Sequence, residues 1–220
     1  MKSILSLIFS CGVFVSAMAL ELTKDGQALV KIYALPDEAA AKPLSSGDPF
    51  DPSAKTTYAE QQKLMLAAAL YDLTTYIEKI SGAKLSVIPV NSLKDVTYPA
   101  IIAGDLAKQA NLTAPASKTS EGFTLQVTDK AVFILGASPA GTAFGIYELL
   151  KQLGCAWVMP GTAGEIIPNA GTLTIPAQMT TQIPSFEIRC PAILHSKKSF
   201  KKFYLGVAFL ILCFILLIIY

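Results

Sequence analysis

Apolar positions recur along this chain at three different periods. Between 57 and 80 they follow helical spacing, with Leu66, Leu70, Leu73, Ile77 and Ile80 forming one stripe. Thr57 and Glu60 precede the stripe in the order of a capping box, whose reciprocal bonds close a helix N-terminus. Gly82 follows it as a stop. The pattern predicts a long helix over 57–80 that leaves Asp72, Glu78 and Lys79 on a solvated face. Ala143, Ile146, Tyr147, Leu150 and Leu153 repeat the helical period and predict a second helix. Ser138 supplies its N-cap, Pro139 its first position and Gly154 its left-handed stop. Short apolar runs mark strands at 28–33, 85–90, 98–103, 123–127, 131–135 and 156–159. Thr128-Asp129-Lys130 sits between two of these runs as a hairpin turn. Pro89 suits a sheet edge. The stretch 36–55 reads as a surface loop, GEIIP and TLTIP as short extended pieces within 161–176, and 177–184 as a linker.

The stretch 131–161 organises the rest: a fully apolar strand, a glycine-rich turn, a capped helix and another strand. Gly141 and Gly145 lie four apart on one helix face. Each costs about 1 kcal/mol of helix propensity relative to Ala, a cost that makes sense where a side chain would strike the sheet. Gly136, Gly141 and Gly145 do not have G-x-G-x-x-G spacing, and no Gly-Lys-Ser/Thr follows, so close packing is the reading and not phosphate binding. No cofactor is expected.

The third period is no period at all. Residues 203–220 form an unbroken apolar run of 18 residues, which as a helix would span roughly 27 Å, enough for a bilayer core. Lys197, Lys198, Lys201 and Lys202 precede it. The other end, 1–19, has Lys2, an apolar core over 4–15 and Ala17-Met18-Ala19, the pattern of a secretory signal cleaved before Leu20. Export to the periplasm or cell surface is expected, with 203–220 as a possible anchor. The four lysines would then lie outside, against the positive-inside rule. The composition also changes abruptly after Arg189.

Five of the 18 basic residues are Lys2 and the four tail lysines, leaving 13 against 16 acidic ones. With no basic patch, nucleic acid is not an expected partner. Beyond the signal the cysteines are Cys155, Cys190 and Cys213, an odd and scattered set that makes neither a disulfide framework nor a metal site. His195 is the one histidine, so triads and zinc sites built on histidine lack their residues. Asp48 and Asp51 in DPFDP lack the spacing of a calcium loop. Asn111-Leu112-Thr113 is a glycosylation sequon. No nucleophile, base and orienting partner stand together, so no catalytic residue is assigned. Asp72 and Glu148 are expected to be exposed helix residues and not a working pair.

Four segments together resemble one family: the helix running into ISGAKL and a strand (76–87), EGFTLQV with ILGAS (121–138), GTAFGIYELLKQLGCAWVMPG (141–161), and GEIIP leading to PSFEIR (164–189). They are similar to the N-terminal accessory domain of bacterial secreted glycoside hydrolases, as in α-glucuronidases and the second domain of β-hexosaminidases. The resemblance implies a small α/β (α+β) domain with a mostly antiparallel sheet and two long helices on one face. It also implies a non-catalytic role beside a (β/α)8 barrel, which carries the acid/base carboxylates. PSFEIR resembles the first strand of that barrel, and Arg189 matches an arginine that touches the sugar.

The expected organisation is therefore a signal at 1–19, the accessory domain at 20–176, a linker and barrel start at 177–196, and a basic flank with a transmembrane helix at 197–220. The leading expectation is an accessory domain truncated before its barrel, with Ser138, Gly141, Gly145 and Gly154 as structural residues and no hydrolysis by the chain as it stands. The alternative is a membrane-tethered module that binds carbohydrate or a partner.

Overall fold

The computed structural model describes residues 18–39, 57–116, 120–159 and 162–185. Most of the signal segment, the Asp48/Asp51 loop, Arg189, Cys190, His195, Cys213 and the apolar run 203–220 lie outside these residues. Among the described residues, no helix is long and apolar enough to cross a membrane.

The chain begins with β1 (Ala19–Lys24), β2 (Gln27–Ala28) and β3 (Lys31–Ala34), then the short helix α1 (Pro36–Ala39) and the long helix α2 (Tyr58–Ser81). Next come β4 (Val87–Pro89), β5 (Ala100–Ala103), a 3-10 helix at Gly104–Ala110, β6 (Phe123–Val127), β7 (Ala131–Gly136) and helix α3 (Pro139–Gln152). The described part closes with β8 (Ala156–Trp157), β9 (Glu165–Ile166), β10 (Leu173–Pro176) and β11 (Gln178–Gln182).

The main sheet has six strands in the order β11-β6-β7-β5-β3-β4. It is mixed. β3 runs parallel to β4 and β5, and β5 parallel to β7, while β6 is antiparallel to β7 and β11. The mostly antiparallel sheet expected from sequence does not hold here. A parallel pair needs a crossover of a dozen residues or more, and the stretch carrying α1 and α2 supplies one between β3 and β4. The β6–β7 hairpin is present, but β7 also has a parallel neighbour in β5. Two small antiparallel sheets, β10-β1-β2 and β8-β9, complete the fold.

Strand alternation sends residues to two different cores. Ile32, Ile101, Val132, Ile134 and Leu125 join the helix-side core with Leu66, Leu73, Ile77 and Leu150. Tyr33, Ala100, Ile102, Ala131 and Leu135 meet Leu106, Ala107 and Leu112 on the opposite face. Both long helices thus cover one face, and the 3-10 helix lies on the other.

The caps follow the local sequence. The Glu60 amide donates to Thr57 Oγ1 at 3.3 Å, and the Thr57 amide to Glu60 Oε2 at 2.7 Å. Gly82 stops α2 at φ 79°. On α3, Ser138 Oγ accepts from the Gly141 amide at 3.2 Å. Gly154, at φ 97°, ends the helix, with the Cys155 amide reaching Leu150 O at 3.0 Å and its own amide reaching Lys151 O at 2.9 Å.

Two differences from the sequence reading sit at the margins. Ala19–Lys24, partly assigned to the signal, is a strand that pairs with β10 and buries Leu20 and Leu22. Residues 178–182, expected as linker, form the edge strand β11 in register with β6. Its QMTTQ sequence has no fully buried position, so it carries no apolar alternation to read.

Helix α3 meets the sheet through its glycines. A Cβ on Gly145 would lie 2.5 Å from Ile134 Cγ2 and 3.2 Å from Phe123 Cδ2, and one on Gly141 would strike the Gly122 carbonyl oxygen. Gly145→Ala should therefore lower stability by about 1–3 kcal/mol, although helix propensity alone favours Ala by about 1 kcal/mol. Denaturant unfolding measures the sign directly. A stabilised variant would mean that the helix does not sit this close.

Candidate functional site

Ser138, Gly141, Gly145 and Gly154 all belong to α3 and its two ends, where they seat the helix. Arg189 lies outside the described residues. Asp72 and Glu148, expected to be exposed, are both buried, at 6% each. The helical stripe of α2 is wider than its core row. Ala69, Asp72 and Tyr76 form a second buried row at i, i+3, i+7.

Asp72 Oδ2 accepts a hydrogen bond from Tyr147 Oη at 2.7 Å, joining the two helices in the interior. Trp157 of β8 donates from Nε1 to Tyr76 Oη at 2.8 Å. The Trp157 ring stands edge-on to both tyrosines, with centroids 5.2 Å from Tyr76 and 5.9 Å from Tyr147, the geometry that aromatic quadrupoles favour. Lys79 lies 4.7 Å from the Tyr76 ring centroid and pairs with Glu165 of β9 at 3.0 Å. One cluster thus binds α2, α3 and the β8–β9 hairpin. Burial raises the Asp72 pKa to about 6, against the lowering effect of the Tyr147 hydrogen bond and of Lys79. Burial also holds the Tyr147 and Tyr76 hydroxyls protonated well above the usual range, and pushes the Cys155 thiol up to about 11. A thiol this buried and this weakly acidic is a poor nucleophile.

Glu148 Oε1 accepts from Gln152 Nε2 at 3.2 Å, and Gln152 Oε1 accepts from Gln178 Nε2 at 2.8 Å, tying α3 to β11. The other oxygen of Glu148 has no hydrogen bond among the described residues, and Lys151 Nζ is 3.8 Å from it.

A third buried carboxylate closes the carboxyl end of the sheet. The chain leaves β3 toward the helix face and β5 toward the other, and such a switch point is where open α/β sheets commonly take ligands. Glu38 fills this crevice. It accepts from the Asp105 amide at 3.2 Å and the Leu35 amide at 3.4 Å, and caps a 3-10 helix whose own N-cap, Ala103, offers no side chain for the purpose. Gly104 permits the approach, because a Cβ there would overlap the Glu38 carboxyl. Burial raises the Glu38 pKa, opposed by the Asp105 amide.

An opening in the surface lies at the opposite end. A shallow cleft of about 730 Å³ is bounded by Ala19–Glu21 of β1, the Tyr98–Pro99 segment and the Asp129–Lys130 turn. Sequence reading missed it, because its walls come from separate parts of the chain, at 19–21, 29, 98–99, 129–130 and 174. Among the described residues, no group of three His, Cys, Asp or Glu is placed to hold a metal ion.

No family model matches the chain, and no curated protein matches it. Among solved structures it is similar to a family GH115 4-O-methyl-α-glucuronidase with specificity for decorated arabinogalactans. That likeness has 20% identity and a TM-score of 0.45, over 77% of this chain and 19% of the other. It is also similar to the GH20 β-N-acetylhexosaminidase from Streptomyces coelicolor A3(2), with 13% identity and a TM-score of 0.43, over 77% of this chain and 24% of the other. The chain thus spans about a fifth to a quarter of the length of these two proteins.

The Asp72 pKa sets a pH dependence. The folded value, about 6, exceeds the ordinary 3.8, so the carboxyl's contribution to stability is complete below 3.8 and is lost as pH rises through 6. The difference is worth about 3 kcal/mol. Asp72→Asn, which cannot ionise, should flatten the fall in unfolding free energy between pH 4 and pH 7. An unchanged profile in the variant would place the titration elsewhere.

Proposed function

We propose that this chain is the non-catalytic accessory domain of a secreted, glycoside-hydrolase-like protein of polysaccharide metabolism. The observation that carries this reading is the use made of the interior carboxylates. Asp72 ties α2 to α3, Glu148 ties α3 toward β11, and Glu38 caps the 3-10 helix. Glycoside hydrolysis needs two carboxyl groups about 5–9.5 Å apart across a space that admits the sugar. These three stand in separate interior contacts, and the two carboxylates at the surface cleft, Glu21 and Asp129, are exposed where water is not excluded. The four sequence segments that resemble the glycosidase accessory domain give the carbohydrate class and the expected partner, a (β/α)8 barrel whose first strand resembles PSFEIR. On this reading the groups that act on a sugar belong to the barrel, and the domain described here supports it.

Purified full-length protein should release no product from aryl glycosides or glucuronoxylan fragments. Turnover that disappears on replacing one carboxylate would contradict the proposal.

The uncharged run 203–220 favours a second reading, a module tethered to a membrane. Retention in the membrane fraction through a high-salt wash, together with saturable glycan binding, would support it. A soluble protein that ignores glycans would count against it.

A further inference from the structure

The shallow cleft lies apart from the interior contacts of Asp72, Glu148 and Glu38. Its apolar surface comes from Tyr98, 44% exposed, Leu29, 41% exposed, and Pro99. Among the described residues, the Tyr98 ring meets no other ring and its hydroxyl has no partner. Around it stand Glu21, Asp129 and Lys130, all exposed, with side chains in no ion pair or hydrogen bond among the described residues. Thr174 adds a hydroxyl to the wall.

This combination has a chemical counterpart. An aromatic face is electron-rich and attracts weakly positive C–H groups. A pyranose ring offers such a C–H face, with hydroxyls around its rim. Carboxylates only accept hydrogen bonds and ammonium groups only donate them, whereas a hydroxyl does both. One set of hydroxyls can therefore satisfy Glu21, Asp129 and Lys130 together. In the full-length chain, where no terminal ammonium lies beside Glu21, two carboxylates against one ammonium leave the cleft negative, which favours a neutral sugar over an acidic one. The volume, about 730 Å³, falls in the usual range for small-molecule sites, about 300–1,000 Å³.

We propose that this cleft binds a neutral hexopyranose, stacked on Tyr98 and hydrogen-bonded to Glu21, Asp129 and Lys130. The proposal rests on the carbohydrate-related reading above and gives it a site on the accessory domain itself. The cleft is open, so binding is weak, with a Kd in the millimolar range.

The test is a titration of the ¹⁵N-labelled full-length chain with methyl β-D-glucopyranoside, methyl β-D-galactopyranoside and methyl α-D-glucuronide, followed by amide shifts. Saturable shifts are expected at residues 19–21, 98, 100, 129–130 and 174 with at least one neutral glycoside, and weaker ones with the glucuronide. Tyr98→Ala should weaken binding about tenfold, and Tyr98→Trp should retain it with the fold unchanged. The proposal is overturned by silence at these amides with both neutral glycosides, by shifts confined to another surface, by preference for the glucuronide, or by full affinity in Tyr98→Ala. Glycoside turnover by the chain would count against the accessory-domain reading and leave the cleft standing. A silent cleft on an inert chain would remove only the cleft.

Discussion

Helix α3 lies against β6 and β7 closely enough that a single methyl group at Gly145 would meet Ile134. Much else follows from that contact. Gly136 turns the chain where a side chain would strike the Thr142 backbone, and Thr142 Oγ1 accepts the Gly136 amide at 3.0 Å. With the glycine face on the sheet, the remaining sides of α3 are left for other partners, and every residue from Ala140 to Leu150 is buried. Tyr147 is turned toward α2, and Glu148 toward the residues that reach β11. Side chains at 141 and 145 large enough to lift the helix would change all of these distances together.

The polar interior is the second consequence. A carboxylate buried between two helices costs several kcal/mol unless it is paired or neutral. Asp72 meets that cost with the Tyr147 hydroxyl and with a pKa raised toward neutrality. Lys79 and Glu165 close the cluster at the β8–β9 hairpin through an ion pair that is partly exposed and so adds little by itself. The interior charges act as joints between elements. What the molecule offers to solvent is different in kind: a tyrosine, a leucine, a proline and unpaired charges around a shallow cleft.

Much of this was legible in the sequence. Thr57 and Glu60 announced the start of α2, Gly82 its end, and Ser138, Pro139 and Gly154 the limits of α3, because caps are local chemistry. The hairpin at Thr128–Lys130 was legible for the same reason. Strand direction was not, since nothing within β3, β5 or β7 records which strand becomes its neighbour. β11 escaped because an edge strand of glutamine and threonine has no apolar alternation. Asp72 and Glu148 were assigned to solvent because a polar residue beside a stripe looks the same whether water or a second helix covers it. The cleft depends on segments scattered along the chain, so no local pattern could reveal it. Glu38 escaped likewise, since its partner amide is 67 residues away.

The central claim is that the carboxylates of the interior belong to the fold, as joints between its elements. The most direct measurement is the pH titration of the Asp72 carboxyl by ¹³C NMR in the full-length chain. The account predicts a midpoint of about 6, set by burial between α2 and α3. A midpoint near 3.8, the ordinary value, would mean a solvated carboxylate open to a ligand, and would contradict the account.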